Sequence, residues 1–300
     1  MIRIITDSVA SIPREMARVA GIEVVTLYVN RDGVEYRDAD MDLDAFYADI
    51  YDMIDDVPTS SQPSQHELET LFEQAAQAGD EVLGVFISSG LSGTYEGAVR
   101  AARTVQSRNI DFKYCLIDST SCGFDEAWPV FAGAAARMAG ATLRECADTV
   151  VASIKSSRFL FTPETLTFLQ KGGRIGGAAA LVGNLVKLSP VLTVRDGQAD
   201  TLAKVRTRKK ALERILETFK EDVERCGLRN VMVHYIGDKA PAVAWAREHI
   251  EPIVGHAVQV VPVSPVIGLH VGPAVGIAYE CVRPLEGKVG PQMKIGLCAS

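Results

Sequence analysis

The chain has 300 residues, of which 47% are hydrophobic, and this length exceeds the roughly 100 to 200 residues of one compact domain. We therefore predict two domains. The formal net charge of −7 argues against a nucleic-acid-binding protein, because such proteins carry clustered Lys and Arg in excess. The short basic run at residues 206–210 has no interleaved aromatic residue for base stacking, so we interpret it as a solvated helix start.

Several patterns indicate the compartment. The N-terminus has neither the apolar run of about 7 to 15 residues nor the cleavage pattern of a signal peptide. The longest nearly uncharged apolar stretch, residues 175–186, is shorter than the roughly 18 residues that a membrane-spanning helix needs. The six cysteines form no C-x-x-C pair, so we predict reduced thiols and neither a zinc site nor a disulfide scaffold. Together these patterns predict a cytoplasmic protein with no integral membrane segment.

Short β-branched runs alternate with helical patterns through the first half of the sequence. The predicted strands are residues 2–6, 22–29, 82–88 and 112–117. The predicted helices are residues 43–54, 66–78, 94–105 and 126–138. Repeated strand–helix–strand order predicts a parallel sheet with helices on both faces, which is a doubly wound α/β domain, over residues 1–155.

After about residue 155 the order of the elements changes. The predicted strands are residues 191–194, 202–205, 230–235, 257–263 and 276–282. The predicted helices are residues 207–224 and 241–249. This mixture of paired strands and helices predicts a separate α+β domain over residues 156–300.

Hydroxyl side chains are concentrated in the segment PTSSQPS at residues 58–64. Ser64, followed three residues later by Glu67, has the spacing of a capping box and is interpreted as a helix N-cap. That interpretation leaves Thr59, Ser60 and Ser61 unexplained. Several uncharged donors side by side suit a buried carboxylate that is bound through neutral hydrogen bonds.

A second loop, SSGLSGTY at residues 88–95, follows a predicted parallel strand and precedes a helix. In an open α/β sheet this junction faces the crevice where ligands bind, and the helix start offers free N–H groups. The loop matches neither the dinucleotide pattern G-x-G-x-x-G nor the nucleophile elbow G-x-S-x-G. The alternative interpretation is an ordinary turn in which Ser92 is the N-cap.

Two further segments leave alternatives open. LQKGGRIGG at residues 169–177 lacks the spacing of a phosphate-binding loop, and the small apolar residues 178–185 fit either close core packing or an acyl tunnel. His270 stands among glycines before a predicted strand, and it fits either a structural role or a role at a ligand head group.

Taken in chain order, these segments resemble the DegV family across nearly the whole chain. The resemblance is carried by ITDS at 5–8, TSSQPS at 59–64, SGLSGTY at 89–95, IDS at 117–119, LQKGGRIG at 169–176, KVR at 204–206 with Lys209 and Lys210, and HVGPAVG at 270–276. It implies a Rossmann-like first domain and an α+β second domain, with one long-chain fatty acid such as palmitate, stearate or oleate in a buried tunnel between them.

The resemblance also implies a role in metabolism. The protein would be a carrier without catalytic activity, cofactor or metal. It would present the carboxylate of its fatty acid to an ATP-dependent fatty acid kinase subunit. The acyl phosphate formed by that partner would then enter phospholipid synthesis.

By position, the resemblance assigns the binding of the carboxylate to Ser60 and Ser92, with Thr59 and Ser61 beside them, and to His270. Uncharged hydroxyl donors therefore dominate the implied head-group site.

Two basic residues, Arg174 and Arg206, are implied to contact the partner or the transferring phosphate. The chain departs from the family pattern at two positions. Ser60 stands where relatives often have Thr, and Ala274 stands where a second glycine is usual after Gly272.

Two other functions remain as alternatives. Ser92, Asp118 and His270 occur in the chain order of α/β-hydrolases, which would suit a serine hydrolase acting on a lipid ester, although the elbow spacing is absent. A structural or regulatory module without a ligand would have no cavity.

Overall fold

The computed structural model describes residues 1–181, 188–290 and 296–299. The strands are β1 (Ile2–Asp7), β2 (Ile22–Val25), β3 (Tyr28–Arg31), β4 (Val34–Arg37), β5 (Thr59–Ser61), β6 (Glu81–Phe86), β7 (Tyr114–Asp118), β8 (Ser157–Pro163), β9 (Ser189–Arg195), β10 (Gln198–Val205), β11 (Leu228–Ile236), β12 (Val260–Pro262), β13 (Ala274–Cys281) and β14 (Gly296–Ala299). The helices are α1 (Arg14–Ala20), α2 (Leu43–Ala48), α3 (Gln65–Ala78), α4 (Thr94–Arg108), α5 (Phe124–Met138), α6 (Leu143–Ser156), α7 (Thr167–Lys171), α8 (Arg208–Cys226), α9 (Ala240–Trp245), α10 (Glu251–Val254) and α11 (Pro265–Val271).

The first sheet has the strand order β14-β7-β6-β1-β2, and its four strands from the first half of the chain are parallel. Strand β6 is buried at every residue after its first, as expected for a parallel strand that is covered on both faces. Helices α1, α5 and α6 pack in one core beside this sheet, and α3 and α4 pack in another. The predicted Rossmann-like fold is confirmed.

The second sheet has the order β10-β9-β8-β13-β11-β12 and is antiparallel except where β11 pairs with β12. Side chains of β8 alternate between two cores. Leu160 packs with α8 and α9, whereas Phe159 and Phe161 face the core that the second sheet shares with the first half of the chain. This arrangement confirms the predicted α+β character of the second half.

A third, small sheet has the order β4-β3-β5 and was not predicted. The predicted strand at 22–29 is in fact divided, since β2 belongs to the first sheet and β3 to the small one. Ser60 pairs with Val29 in this sheet, so the hydroxyl-rich segment is an extended strand rather than a free loop. Sheet pairing thereby fixes the direction in which Ser60 points.

Some helix predictions need correction. The predicted helix at 43–54 ends at Ala48 and is followed by a separate 3-10 turn, Asp52–Ile54. Helix α6 was not predicted, although Thr142 and Glu145 form the capping box that starts it. Within the described residues, no helix combines the length and the apolar character needed to cross a bilayer.

The cysteine prediction is wrong for two residues, because Cys115 and Cys298 form a disulfide. They are directly opposite each other in the antiparallel pair of β7 and β14, with their Cα atoms 4.1 Å apart. The other four cysteines are free and buried. A pairing between residues 183 positions apart has no local signal in the sequence.

Candidate functional site

A cavity of about 330 Å³ lies between the carboxyl edge of the first sheet and the second sheet. Val9, Ile87 and Cys122 line it, and each follows a parallel strand of the first sheet. Phe159 and Phe161 line it from β8 of the second sheet. This is the crevice at which open α/β sheets bind ligands.

The wall of the cavity is mostly apolar. Its apolar side chains are Val9, Leu27, Ile87, Leu91, Cys122, Phe159, Phe161, Leu169, Val194, Ala199, Val266, Ile267 and Val271. Among the described lining residues, Arg174 is the only one with a permanent charge. A ligand that fills this cavity must therefore be largely hydrocarbon.

Polar side chains gather on one part of the wall, and they come from the segments that the sequence singled out. Ser60, Ser61 and Gln62 come from β5 and the residue after it, and Ser92 comes from the loop before α4. His270 lies in the last turn of α11, where its Nε2 is 2.9 Å from Ser60 Oγ. Tertiary structure thus brings Ser60 and His270 together although they are 210 residues apart.

The His270 imidazole is partly buried and uncharged at neutral pH. Burial, followed by the nearby Arg174 charge, lowers the pKa of His270 to about 4. Its Nδ1 is buried without a hydrogen-bond partner among the described residues. The ring lies against Gly172, where a Cβ atom would be 2.2 Å from Nδ1, so any larger residue at this position would displace the imidazole.

Ser92 lies in the loop beside Gln62. Its Oγ is 2.9 Å from Thr94 Oγ1 and accepts a hydrogen bond from Thr94 N at 3.3 Å. A Cβ atom at Gly93 would be 2.4 Å from Gln62 Oε1, so the missing side chain allows the two hydroxyl-rich segments to meet.

Arg174 connects the segment at residues 169–177 to the loop at residues 88–95. Its side chain is exposed, with Nε donating to Leu91 O at 3.1 Å and Nη1 donating to Gly172 O at 2.7 Å. Its guanidinium therefore lies at the polar end of the cavity, where solvent can reach it.

Two of the predicted site residues lie elsewhere. Thr59 is exposed and lines a separate surface depression beside Asn30. Arg206 is exposed and is not among the described residues that line the cavity. Of the small apolar segment 178–185, Ala178 and Leu181 are buried in the core around the cavity, and residues 182–185 lie outside the described ranges.

The hydrogen bonds do not favour the hydrolase alternative. His270 Nε2 contacts Ser60 rather than Ser92. The Asp118 carboxylate accepts from the backbone N–H groups of Ser89 and Thr120, at 3.2 and 2.7 Å. A catalytic triad needs a base that bonds both the nucleophile and the acid, and His270 has neither contact here.

The buried carboxyl group of Asp7 supports two segments that line the cavity. Asp7 accepts hydrogen bonds from Val9 N at 2.9 Å and Ile87 N at 2.8 Å, which fixes two apolar segments of the wall. Burial raises the pKa of Asp7 to about 7 and raises the pKa of Glu126 well above its usual range.

No group of His, Cys, Asp or Glu within the described ranges could hold a metal ion.

Sequence reasoning missed the aromatic wall of the cavity. Phe159 and Phe161 stack with ring centroids 5.1 Å apart, and their alternation with Leu160 is a strand signal that could have been recognised. Helix α11 was missed as well, although Ser264 before Pro265 has the pattern of an N-cap followed by proline at the first helical position.

Comparisons with known proteins identify relatives over most of the chain. A family model described as "Uncharacterised protein, DegV family" matches residues 1–281. A DegV domain-containing protein of Clostridium acetobutylicum is 38% identical over 284 residues, covering 93% of this chain and 97% of that relative.

Solved structures of fatty-acid-binding proteins are also similar to this chain. One, described as fatty acid binding of a DegV family protein from Thermus thermophilus, has a TM-score of 0.80 and 30% identity and covers 93% of this chain and 99% of that one. A stearic acid-binding protein of Eubacterium ventriosum has a TM-score of 0.83 and 25% identity, with coverage of 94% and 99%.

Proposed function

Because the chain belongs to the DegV family, we propose that it binds one long-chain fatty acid in the cavity between its two larger sheets. The observation that carries this proposal is the cavity itself, which is apolar along most of its wall and has uncharged hydroxyl donors at one part. Related structures described as fatty-acid-binding proteins support the same ligand class.

The acyl chain supplies most of the binding free energy. Burial of about 0.8 kcal/mol per CH₂ amounts to on the order of 12 kcal/mol for a sixteen-carbon tail. The loss of translational and conformational freedom offsets a large part of this gain. The remaining free energy is sufficient for tight binding and slow release.

We assign the carboxylate to the polar part of the wall. Ser60 and Ser92 are the proposed donors, and Ser61 lines the cavity beside them. His270 is neutral near pH 7, so it can donate one hydrogen bond but supplies no counter-charge. The hydroxyl groups can donate hydrogen bonds to the two oxygens of the carboxylate.

The exposed cations support a second step of the proposal, in which the protein presents its fatty acid to a kinase. Arg174 lies at the polar end of the cavity and remains exposed. A guanidinium in this position suits the oxygens of a transferring phosphate. We assign Arg206, also exposed, to contact with the kinase subunit, and we assign no catalytic step to this chain.

Native mass spectrometry of the purified protein tests the ligand. We expect one bound lipid per chain, which lipid extraction should identify as a fatty acid of about sixteen to eighteen carbons. An empty protein that also fails to take up palmitate, stearate or oleate would refute the proposal. Labelling by a fluorophosphonate probe at Ser92 would instead support the hydrolase.

A further inference from the structure

The aromatic wall of the cavity has a second, smaller space behind it. A void of about 10 Å³ lies next to the cavity and shares four lining residues with it, which are Phe159, Phe161, Ile267 and Val271. A space of this size is comparable to a single water molecule, so an acyl chain does not fit into it. These four side chains therefore separate the cavity from the void.

The inner face of the second sheet explains why the void exists. On β13 this face carries small residues, which are Ala274, Gly276 and Ala278. Gly276 is paired with Phe161 of β8 on one side and with His234 of β11 on the other. Two large rings thus flank a residue that has no side chain, and a space remains above Gly276.

The same glycine allows the aromatic wall to lie close to the sheet. A Cβ atom at Gly276 would be 2.9 Å from Phe161 Cβ and 3.1 Å from Phe159 Cε2. The Phe159 ring packs on two sides, with its centroid 5.1 Å from that of Phe161 and 5.6 Å from that of His234. Rings that pack against one another in this way hold fixed positions.

The void lies beside the apolar part of the cavity. Ile267 and Val271, four residues apart on α11, face the void, whereas His270 lines the cavity but not the void. Among the described residues, none of the hydroxyl side chains that line the cavity lines the void. The aromatic wall is therefore separate from the part of the cavity where we place the carboxylate.

An acyl chain in the cavity extends toward the aromatic wall, and this step rests on the proposed function. Arg174, at the polar end of the cavity, is exposed, whereas Phe159 and Phe161 are 4% and 5% exposed. Hydrocarbon is most stable where water is excluded. The tail of a fatty acid whose carboxylate is bound at Ser60 therefore points toward the buried rings.

We propose that Phe161, supported by Phe159, determines the longest acyl chain that this protein binds. The terminal methyl group of that acid packs against the Phe161 ring. A longer chain must push the ring toward Gly276, and the void of about 10 Å³ is too small to receive it. Forcing extra methylene groups into a packed interior is unfavourable, so longer acids bind more weakly.

The proposal predicts a definite dependence of affinity on chain length. Each methylene group that is buried in the cavity increases affinity by roughly a factor of four. Affinity should therefore rise along a series of saturated acids until the chain reaches Phe161, and it should fall for longer acids. We call the acid with the lowest dissociation constant the optimum.

The wild-type protein gives the first test. Dissociation constants are measured for myristate, palmitate, stearate, arachidate and behenate, by competition with a fluorescent fatty acid. We expect an optimum within the series, with affinity rising on the order of tenfold for each two methylene groups before it. Affinity that still rises from arachidate to behenate would overturn the proposal, and this measurement needs no variant.

The second test removes the ring. In Phe161→Ala the cavity and the void become one space, so the optimum should move to a longer acid by at least one member of the series. Leu160→Ala is the matched control, because Leu160 lies on the same strand but faces the other core. An unchanged optimum in Phe161→Ala, or the same change in Leu160→Ala, would overturn the proposal. Phe161→Leu, which keeps more of the packing, replaces Phe161→Ala if that variant does not fold, and the same outcomes decide.

The third test fills the space again. Ala274 lines the void but is not among the described residues that line the cavity. Phe161→Ala combined with Ala274→Leu should therefore return the optimum toward that of wild type. If the optimum stays with that of Phe161→Ala, the added length does not enter the void and the proposed position of the chain end is wrong. A wild type that binds none of the acids refutes the proposed function, whereas binding with one optimum in every variant refutes only the role of Phe161.

Discussion

His270 Nε2 lies 2.9 Å from Ser60 Oγ, which joins the last turn of α11 to strand β5 of the small sheet. The imidazole and the hydroxyl therefore form one polar unit at the wall of an otherwise apolar cavity. Because the pKa of His270 is about 4, this unit is uncharged near pH 7. The His270–Ser60 unit can therefore hydrogen-bond a charged ligand group but supplies no counter-charge of its own.

The first prediction concerns the two proposed carboxylate donors. Replacing Ser60 and Ser92 with Ala should weaken fatty-acid binding by roughly 1.5 to 3 kcal/mol for each donor, because each one bonds a charged acceptor. Dissociation constants for oleate, measured by calorimetry, test this expectation. Thr59→Ala is a matched control, since Thr59 is exposed and does not line the cavity. Unchanged affinity in the double variant would contradict the assignment.

The second prediction separates fatty-acid binding from presentation of the fatty acid to the kinase subunit. Arg174→Ala should keep its fatty acid, because the guanidinium is exposed and bonds two backbone carbonyls of the protein itself. When an ATP-dependent fatty acid kinase subunit is added, we expect Arg174→Ala to form no acyl phosphate, whereas wild type should form it. Arg18→Ala, an exposed residue in α1, is the control. Loss of lipid binding in Arg174→Ala would show that the side chain holds the ligand instead.

The third prediction concerns the ion pair between Lys288 and Asp125, whose side chains are 2% and 0% exposed. Lys288→Met should lower the free energy of unfolding by about 3 to 5 kcal/mol, because Asp125 is left as an uncompensated buried charge. Changing both residues, Lys288→Met with Asp125→Leu, should recover part of the loss. Denaturant unfolding measures both variants. Arg144→Ala, which breaks an exposed pair with Asp148, should change little, and an equal loss there would contradict the argument.

The fourth prediction is a pH dependence. Burial raises the pKa of Glu126 well above its usual range, so the folded protein keeps a proton that the unfolded chain loses above about pH 4.5. The folded state therefore binds more protons than the unfolded state, and stability falls as pH rises from that point toward the folded pKa. Glu126→Gln cannot lose this proton and should become more stable relative to wild type as pH rises. Parallel stability curves for the two proteins from pH 5 to 9 would contradict the expectation.

The sequence by itself determined the elements whose signals are local. Ser64 and Glu67 form the capping box that their spacing predicted, and α3 begins there. Apolar strands followed by amphipathic helices predicted the parallel sheet and hence the edge at which the cavity lies. These features depend on hydrogen bonding and side-chain spacing among a few neighbouring residues. A short stretch of sequence is therefore enough to predict them.

Only the tertiary structure decided which distant side chains meet. Phe159 and Phe161 become a cavity wall because one face of β8 is turned toward the first half of the chain. Cys115 and Cys298 become partners because β14 returns to the edge of the first sheet. Such contacts depend on how whole sheets and helices bury their apolar faces against one another, and residue spacing along the chain does not encode that packing in any local pattern.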